Sequence, residues 1–317
     1  MNRENPEDLT ELGTYALLSV LCFVGAVIQN ALWVFPSAVF LALCLLEIFE
    51  KRVWRGTTPM SDVRVILALA QSDFSYFFRT KWLMAVLLSL NLSDMLVVAL
   101  VYKRMMTFNY FAYFVPAVII MGLFAASLDT GRRVWLALRE GVTQYELSLP
   151  ISTEGLVIAY LIAGGAAALV YATSLMVIAL IVLPAQSILS ALTLLPFLYV
   201  LAMGLAGIAA ALAAVASTHG EFFFAFQNIL QGMLLTLSTV YYPIETIQKF
   251  LPSFLVTLVS WNPISLAAEA LRQYTFAGHP VEFTFLARIF VASVPFTIIG
   301  GLLYLGVLRK IQTQGKL

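Results

Sequence analysis

Asp94 is the residue whose setting most suggests chemistry. It lies within the apolar run LLSLNLSDMLVVAL, where burial of a carboxyl group is costly and often indicates a functional site. An aspartyl intramembrane protease needs two such acids, and no second acid lies at a similar depth. Asp94 is therefore either part of a functional site or a residue that pairs with a neighbouring helix or lies near a helix end.

The histidines, glycines and cysteines of the sequence do not occur at the spacings that catalytic or phosphate-binding motifs require. The two histidines, His219 and His279, lie far apart and outside any His-Glu-x-x-His motif, which argues against a zinc protease. No Gly-x-x-x-x-Gly-Lys-Ser/Thr loop is present, so ATP phosphates are not bound by that route. Cys22 and Cys44 lie in apolar runs and fit small core side chains better than a disulfide or metal site. The sequence predicts neither enzymatic activity nor a metal site.

A charged segment at 129–154 offers side chains to a partner. It begins as an amphipathic helix, reaches Leu149-Pro150 and precedes a new apolar run. We interpret it as a short helix held by its apolar side, because its aromatic and leucine content argues against the alternative, a solvated loop. The candidate partner-binding residues are Arg132, Arg133, Arg139, Glu140, Gln144, Tyr145 and Glu146.

Polar side chains also lie within apolar runs late in the chain. Gln227, Asn228 and Gln231 form a stripe that either lines a substrate path or bonds another helix. The segment 238–273 has prolines at 243, 252 and 263, and proline is tolerated at the start of a helix but breaks its interior. We therefore expect successive short helices within 243–276, re-entrant or interfacial, on the outer side. The candidate path or gate residues, with Asp94, are Gln227, Asn228, Gln231, Tyr241, Tyr242, Pro243, Asn262 and Pro263.

The elements that position these residues are apolar helices. Hydrophobic residues make up 61% of the chain, charged residues only 11%, and the mean hydropathy is +0.93. A soluble domain usually carries about 25% charged residues, so the composition predicts an all-α polytopic membrane protein. At about 20 apolar residues per span, eight spans are expected, the first two as a helical hairpin: 12–29, 31–48, 82–101, 110–128, 156–183, 188–217, 221–241 and 285–308.

Two further patterns describe how the helices are arranged. At 61–78, apolar residues recur at three- and four-residue steps among polar ones, which indicates an amphipathic helix in the membrane interface; a soluble connector is the alternative. Small residues cluster at 163–174 and 203–217. There Gly204 and Gly207 allow helix backbones to approach closely.

Basic residues predict the orientation. Lys and Arg concentrate in the linker 51–81, in the loop after Leu128 and at the C-terminus. With eight spans these segments share one side, which should be the cytoplasm. The opposite side holds fewer cations: Lys103, Arg104, Lys249, Arg272 and Arg288. Both termini are therefore expected in the cytoplasm.

The mostly acidic and polar start is not that of a cleaved signal peptide, and the net charge of +1 does not indicate a nucleic-acid partner.

The order of these segments resembles the permease subunits of type-2 ABC exporters (the ABC-2 family). That family has an interface helix, a coupling helix with a Glu-Gly…Leu-x-x-x-Pro-x-Ser type of motif, and a late proline-rich outer segment ending in Asn-Pro…Glu-x-x-Arg. The resemblance covers about 62–308, and the matching residues outside the interface helix are Glu140, Gly141, Tyr145, Leu147, Pro150, Ser152, Ser238, Pro243, Pro252, Asn262, Pro263, Glu269 and Arg272. Thr239 departs from the family pattern, which often has glycine there.

The resemblance implies an architecture and partners. A six-helix permease core at 82–317 would contain the coupling loop 129–154 and the outer gate helices 243–276. A hairpin at 1–50 and a cytoplasmic linker with the interface helix at 51–81 would precede it. Two permease copies, identical or related, would pair in the cell membrane. ABC ATPase subunits would supply ATP and magnesium, and their closure would move the coupling helix. A stand-alone channel, a scramblase or a secondary transporter is the alternative class, and an assembly or scaffold protein is a third.

Overall fold

The computed structural model describes residues 59–106, 108–148, 151–216 and 220–313. The chain divides into two compact units, Met1–Arg64 and Val65–Leu317, and nearly all described residues belong to the second. Within the described ranges every regular element is helical, as the composition predicts. The spans expected at 12–29 and 31–48 lie outside the described residues.

Eleven helices make up the described part of the chain. The helix that begins at Lys81 continues past Ser93 through a π-helical turn at Asp94–Val98 to an α-helical end at Ala99–Met105. The helix that begins at Pro263 continues into a π-helical turn at Leu271–Phe276. The helices are α1 (Pro59–Arg79), α2 (Lys81–Ser93), α3 (Tyr110–Arg139), α4 (Val142–Ser148), α5 (Thr153–Val182), α6 (Ile188–Val215), α7 (Gly220–Thr236), α8 (Ile244–Phe250), α9 (Ser253–Trp261), α10 (Pro263–Ala270) and α11 (Phe283–Thr313).

Five helices in this part of the chain are long and apolar enough to cross a membrane. They are the predicted spans near 82–101, 110–128, 156–183, 188–217 and 285–308, observed as Met84–Met105, Tyr110–Arg139, Thr153–Val182, Ile188–Val215 and Phe283–Thr313. α9 and the helix that follows it, bent by 61° at their junction, would make a sixth if they formed one broken span. The chain is thus a multi-pass membrane protein.

The span predicted at 221–241 is shorter than expected. α7 has only 17 residues, which is at the lower limit for crossing a bilayer, and it is not among the five candidates. The helix ends at Thr236 because this end of the chain forms hydrogen bonds with Asn262 and Ser265. The amide of Thr239 donates to the hydroxyl of Ser265 at 3.0 Å, and Asn262 Nδ2 donates to the carbonyl groups of Leu234 and Leu237 at 2.9 and 2.6 Å.

Glycines bring α6 against α11, as the small-residue pattern predicts. A Cβ atom added at Gly204 would lie 2.7 Å from the amide nitrogen of Thr297, and one added at Gly207 would lie 3.0 Å from the carbonyl carbon of Gly300. Cβ atoms essentially never come closer than 3.0 Å to another heavy atom. The two backbones are therefore in direct contact, without intervening side chains.

The amphipathic helix predicted at 61–78 is observed as α1. Its buried residues include Ile66, Ala70 and Phe77, whose spacings of four and seven residues place them along one face. Leu67 and Tyr76 on other faces are exposed. The helix therefore has one packed face, and its exposed faces also carry apolar side chains.

Candidate functional site

α3 connects the two groups of candidate residues. Its 30 residues correspond to a length of about 45 Å at 1.5 Å per residue. Near its N-terminus, Tyr110 and Tyr113 contact the chain before α8. Near its C-terminus, Arg133 contacts α1, and Gly141 turns the chain into α4. The predicted gate residues between 241 and 263 therefore lie towards the N-terminus of α3, which we call the gate end. The predicted coupling residues lie at its C-terminus, which we call the coupling end.

The gate end is built from three short helices that begin at prolines. Pro243 and Pro252 occupy the N-cap positions of α8 and α9, and Pro263 is the first residue of α10. The prediction that each proline opens a short helix is confirmed. Asn262 joins two elements, because its Oδ1 accepts from the amide of Ile264 at 2.9 Å while its Nδ2 binds the C-terminal end of α7. Asn262 and Pro263 are buried.

Arg272 forms hydrogen bonds with several elements at the gate end. Only 8% of the residue is exposed, and its Nε donates to the carbonyl oxygen of Tyr113 at 2.8 Å. Its Nη2 donates to the carbonyl oxygens of Thr239 and Val240 at 2.9 and 3.3 Å. Its Nη1 pairs with Glu269 Oε2 at 3.2 Å, and the guanidinium lies 3.6 Å from the centre of the Tyr113 ring. One side chain thus ties α3 and the loop before α8 to α10.

Aromatic side chains surround Tyr241 in the same loop. The Tyr110 hydroxyl donates to the carbonyl oxygen of Tyr241 at 3.3 Å, and the Tyr241 ring stacks on Phe114 with ring centres 6.1 Å apart. Burial raises the pKa of the Tyr241 hydroxyl, and the charges of Asp94 and Tyr242 raise it further. Asp94 therefore lies close enough to act electrostatically on this loop. Asp94 is half-buried, and Tyr242 is exposed.

A buried ion-pair network marks the coupling end. Only 2% of Arg133 is exposed, and its guanidinium binds the carboxylate and the carbonyl oxygen of Asp73 in α1. Its Nε lies 3.5 Å from a carboxylate oxygen of Asp129, and Arg132 Nε pairs with the other oxygen of Asp129 at 2.6 Å. Burial raises the pKa of the Asp73 carboxyl, and the Arg133 guanidinium opposes that effect. The network fastens α1 to α3.

α4 presents an exposed surface beside this network. Gly141 has a φ of +77°, a left-handed conformation that glycine adopts without strain, and it directs the chain from α3 into α4. Gln144 is exposed, and Tyr145 is 67% exposed. Arg139 is exposed and lies 5.2 Å from the centre of the Trp135 ring. Glu140 is exposed at the end of α3.

Glu146 faces the interior of the coupling end. Its Oε2 accepts from the Tyr160 hydroxyl at 3.0 Å. Burial raises the pKa of Glu146 to about 7, the hydrogen bond from Tyr160 opposes this increase, and the charge of Asp73 adds to it. Of the seven predicted partner-binding residues, Arg133 and Glu146 bond inside the protein, and Arg132 pairs with Asp129. The other four remain available to a partner.

The polar stripe of α7 lies apart from both groups. Asn228 is exposed, while Gln227 and Gln231 are half-buried. The Oε1 atom of Gln227 is buried and has no hydrogen-bond partner among the described residues. α7 packs on its neighbours through Phe223, which is buried beside Gly131 of α3. Among the described residues, no hydrogen bond or ion pair joins the stripe to the gate end.

Sequence reasoning missed how Arg272 and Asp73 act. The sequence identified Arg272 only as a basic residue of the outer side and as a residue that matches the family pattern. Its position three residues after Glu269 also indicates an ion pair within a helix. The sequence placed Asp73 among the polar residues of the amphipathic helix and did not predict its ion pair with Arg133. Among the described residues, no group of three or more His, Cys, Asp or Glu side chains could hold a metal ion.

Comparisons with known proteins do not assign a family. No protein-family model matches the chain, and no curated protein matches it either.

Proposed function

We propose that this chain is the membrane-spanning subunit of an ATP-driven exporter of the ABC-2 type. Two copies form the translocation path in the cell membrane, and separate ATPase subunits bind α4 on the cytoplasmic side. The observation that carries the proposal is the connection made by α3. An exposed polar helix at one end of α3 and a cluster of short helices at the other end are connected by one continuous helix of 30 residues.

The contacts at each end support a transmitting role. At the coupling end, Glu146 bonds α4 to α5, and Arg133 bonds α3 to α1. Because α4 also follows α3 directly in the chain, a force on α4 acts on both α3 and α5. At the gate end, Arg272 binds α3 directly. A partner can shift a conformational equilibrium only through contacts that differ between two states. The exposed side chains of α4 are the contacts that we assign to this role.

The surface of α7 is compatible with a second permease copy. Phe222, Phe226, Ile229 and Met233 on the same helix are exposed. These side chains would contact either lipid or the second copy.

The test is stimulation of the partner's ATPase activity. We expect the tagged full-length chain to co-purify with an ATPase that carries a Gly-x-x-x-x-Gly-Lys loop. Exchange of charge with Arg139→Glu plus Glu140→Arg should abolish the stimulation of ATP hydrolysis by the chain and leave its thermal stability unchanged. The matched control, Lys249→Glu plus Glu282→Lys, exchanges two exposed charges away from α4 and should retain stimulation.

Other results would contradict the proposal. Unchanged ATP hydrolysis and transport in the Arg139/Glu140 variant would remove α4 from the coupling role. Substrate flux through vesicles that contain the purified chain alone, without any ATPase, would favour a channel, a scramblase or a secondary transporter.

A further inference from the structure

A cavity of about 420 Å³ opens beside the proline-started helices. It lies between α3, the loop before α8, α8 itself, α9, α10 and the start of α11. Its volume falls within the range of about 300–1,000 Å³ that is typical of small-molecule sites. Three charged side chains line it: Glu245, Glu269 and Arg288. The cavity therefore presents both signs of charge to a ligand.

Arg288 provides the positive charge. Its guanidinium lies 5.3 Å from the centre of the Trp261 ring and 5.8 Å from that of Phe285. It is exposed and makes no ion pair with any residue that the structure describes. Arginine binds phosphate through two parallel hydrogen bonds. Held against the two rings, Arg288 is free to bind an anionic group.

Glu269 and Glu245 provide the negative charge. Glu269 Oε1 accepts from Gln273 Nε2 at 2.8 Å, and its Oε2 accepts from Arg272 Nη1 at 3.2 Å. A carboxylate can accept about four hydrogen bonds, so two positions remain for a donor from a ligand. Glu245 is exposed and makes no ion pair within the described part of the chain. Two carboxylates are thus available to a cation with N–H donors.

Exposed aromatic side chains lie on the helices around the cavity. Phe250 and Phe254 are 79% and 64% exposed, and Trp261 and Phe283 are also exposed. Tryptophan and tyrosine are enriched where a membrane protein passes from hydrocarbon to the headgroup layer, and Tyr242 in the loop before α8 is exposed as well as Trp261. The cavity is therefore suited to the depth at which lipid headgroups lie.

We propose that this cavity binds a phosphoethanolamine group, with the phosphate on Arg288 and the ammonium on Glu245 and Glu269. The group occurs both in a phospholipid headgroup and in soluble glycerophosphoethanolamine. A primary ammonium donates hydrogen bonds to carboxylates, whereas the quaternary ammonium of choline has no N–H group to donate. The site involves no ATPase, so this inference does not depend on the proposed exporter function.

The test is titration calorimetry on the purified full-length chain in a neutral detergent. The probe is dihexanoyl-phosphatidylethanolamine, and the comparison lipids are dihexanoyl-phosphatidylglycerol and dihexanoyl-phosphatidylcholine. We expect saturable binding of the ethanolamine lipid, about tenfold or more tighter than either comparison lipid, since a charge-assisted hydrogen bond contributes that much. Glycerophosphoethanolamine distinguishes the sources. Equal affinity for it indicates a soluble ligand, and much weaker binding indicates a lipid; either result supports the proposal.

Two variants test the assigned contacts. Arg288→Gln and Glu245→Gln remove exposed side chains, so the protein should fold, and each should weaken binding about tenfold. The matched controls Lys249→Gln and Glu282→Gln remove exposed charges that do not line the cavity and should bind as the wild type does. Absence of saturable binding, equal affinity for the glycerol or choline lipid, or wild-type affinity in both variants would overturn the proposal.

Discussion

Two arginines near one end of α3 have opposite environments. Arg133 is buried against Asp73 and Asp129, whereas Arg139 is exposed beside Trp135. The local sequence pattern assigned both to a partner-binding surface. The burial of Arg133 depends on Asp73, which lies 60 residues earlier in the chain. A pattern read within one helix cannot reveal a partner that another helix supplies.

This difference predicts unequal losses of stability. Arg133→Met leaves the carboxylate of Asp73 without its cation and leaves Asp129 paired with Arg132 alone, and breaking a buried ion pair in this way costs about 3–5 kcal/mol. Arg139→Met removes the same side chain from an exposed position over an aromatic ring, where the loss is about 1 kcal/mol or less. Thermal unfolding in detergent should therefore show a much lower midpoint for the first variant. Equal midpoints would contradict the buried network.

Glu146 predicts a dependence of stability on pH. Because its pKa in the folded protein is raised to about 7 from a usual 4.5, the folded state holds a proton that the unfolded state has released between these values. The stabilisation is complete below about pH 4.5 and is lost as the pH rises through 7. It amounts to at most about 3 kcal/mol, since one pKa unit corresponds to about 1.4 kcal/mol.

The measurement is the unfolding midpoint at pH 5 and pH 8. Glu146→Gln keeps an acceptor for the Tyr160 hydroxyl but cannot ionise, so it should reduce the decrease in midpoint between the two pH values. Glu140→Gln, at an exposed position six residues earlier at the end of α3, should retain the wild-type decrease. An identical decrease in the wild type and both variants would show that Glu146 does not titrate in this range.

At the scale of elements, the sequence predicted helix starts better than helix ends. The prolines at 243, 252 and 263 each begin a helix, because the fixed φ of proline and its missing N–H act locally. The end of α7 at Thr236 was not predicted, because it depends on hydrogen bonds with Asn262 and Ser265, which are distant in sequence. α3 extends past its apolar run to Arg139, where hydropathy no longer indicates a span.

The packing of α6 against α11 supplies a prediction about one glycine. A Cβ atom at Gly300 would lie 2.7 Å from the amide nitrogen of Ile208 and 2.8 Å from the carbonyl oxygen of Gly204. These are backbone atoms, so Gly300→Ala should force the helices apart and destabilise the protein by about 1–3 kcal/mol. Gly306→Ala on the same helix meets nothing within 4 Å and should not destabilise it. Thermal unfolding of the two variants measures the contrast, and equal stability would contradict the close contact.

At the scale of the whole molecule, α3 separates the two candidate sites by about the thickness of a bilayer. Its length of about 45 Å matches about 40–45 Å for a membrane with its headgroup layers. Tyr113 at one end and Arg133 at the other are each bonded to a different set of elements. α4 and α8 should therefore face opposite compartments, and the basic residues near α4 predict that α4 is on the cytoplasmic side.

Cysteine labelling in a background without Cys22 and Cys44 tests this arrangement. Gln144→Cys in α4 and Gln248→Cys in α8 change the same residue type at two exposed positions. In intact cells a membrane-impermeant maleimide should label only the cysteine at 248, and in inside-out vesicles only the one at 144. Detergent-solubilised membranes, in which both should react, control for reactivity. If both positions react from the same side, then α3 does not cross the membrane, and the coupling and gate ends cannot serve the two faces of a transporter.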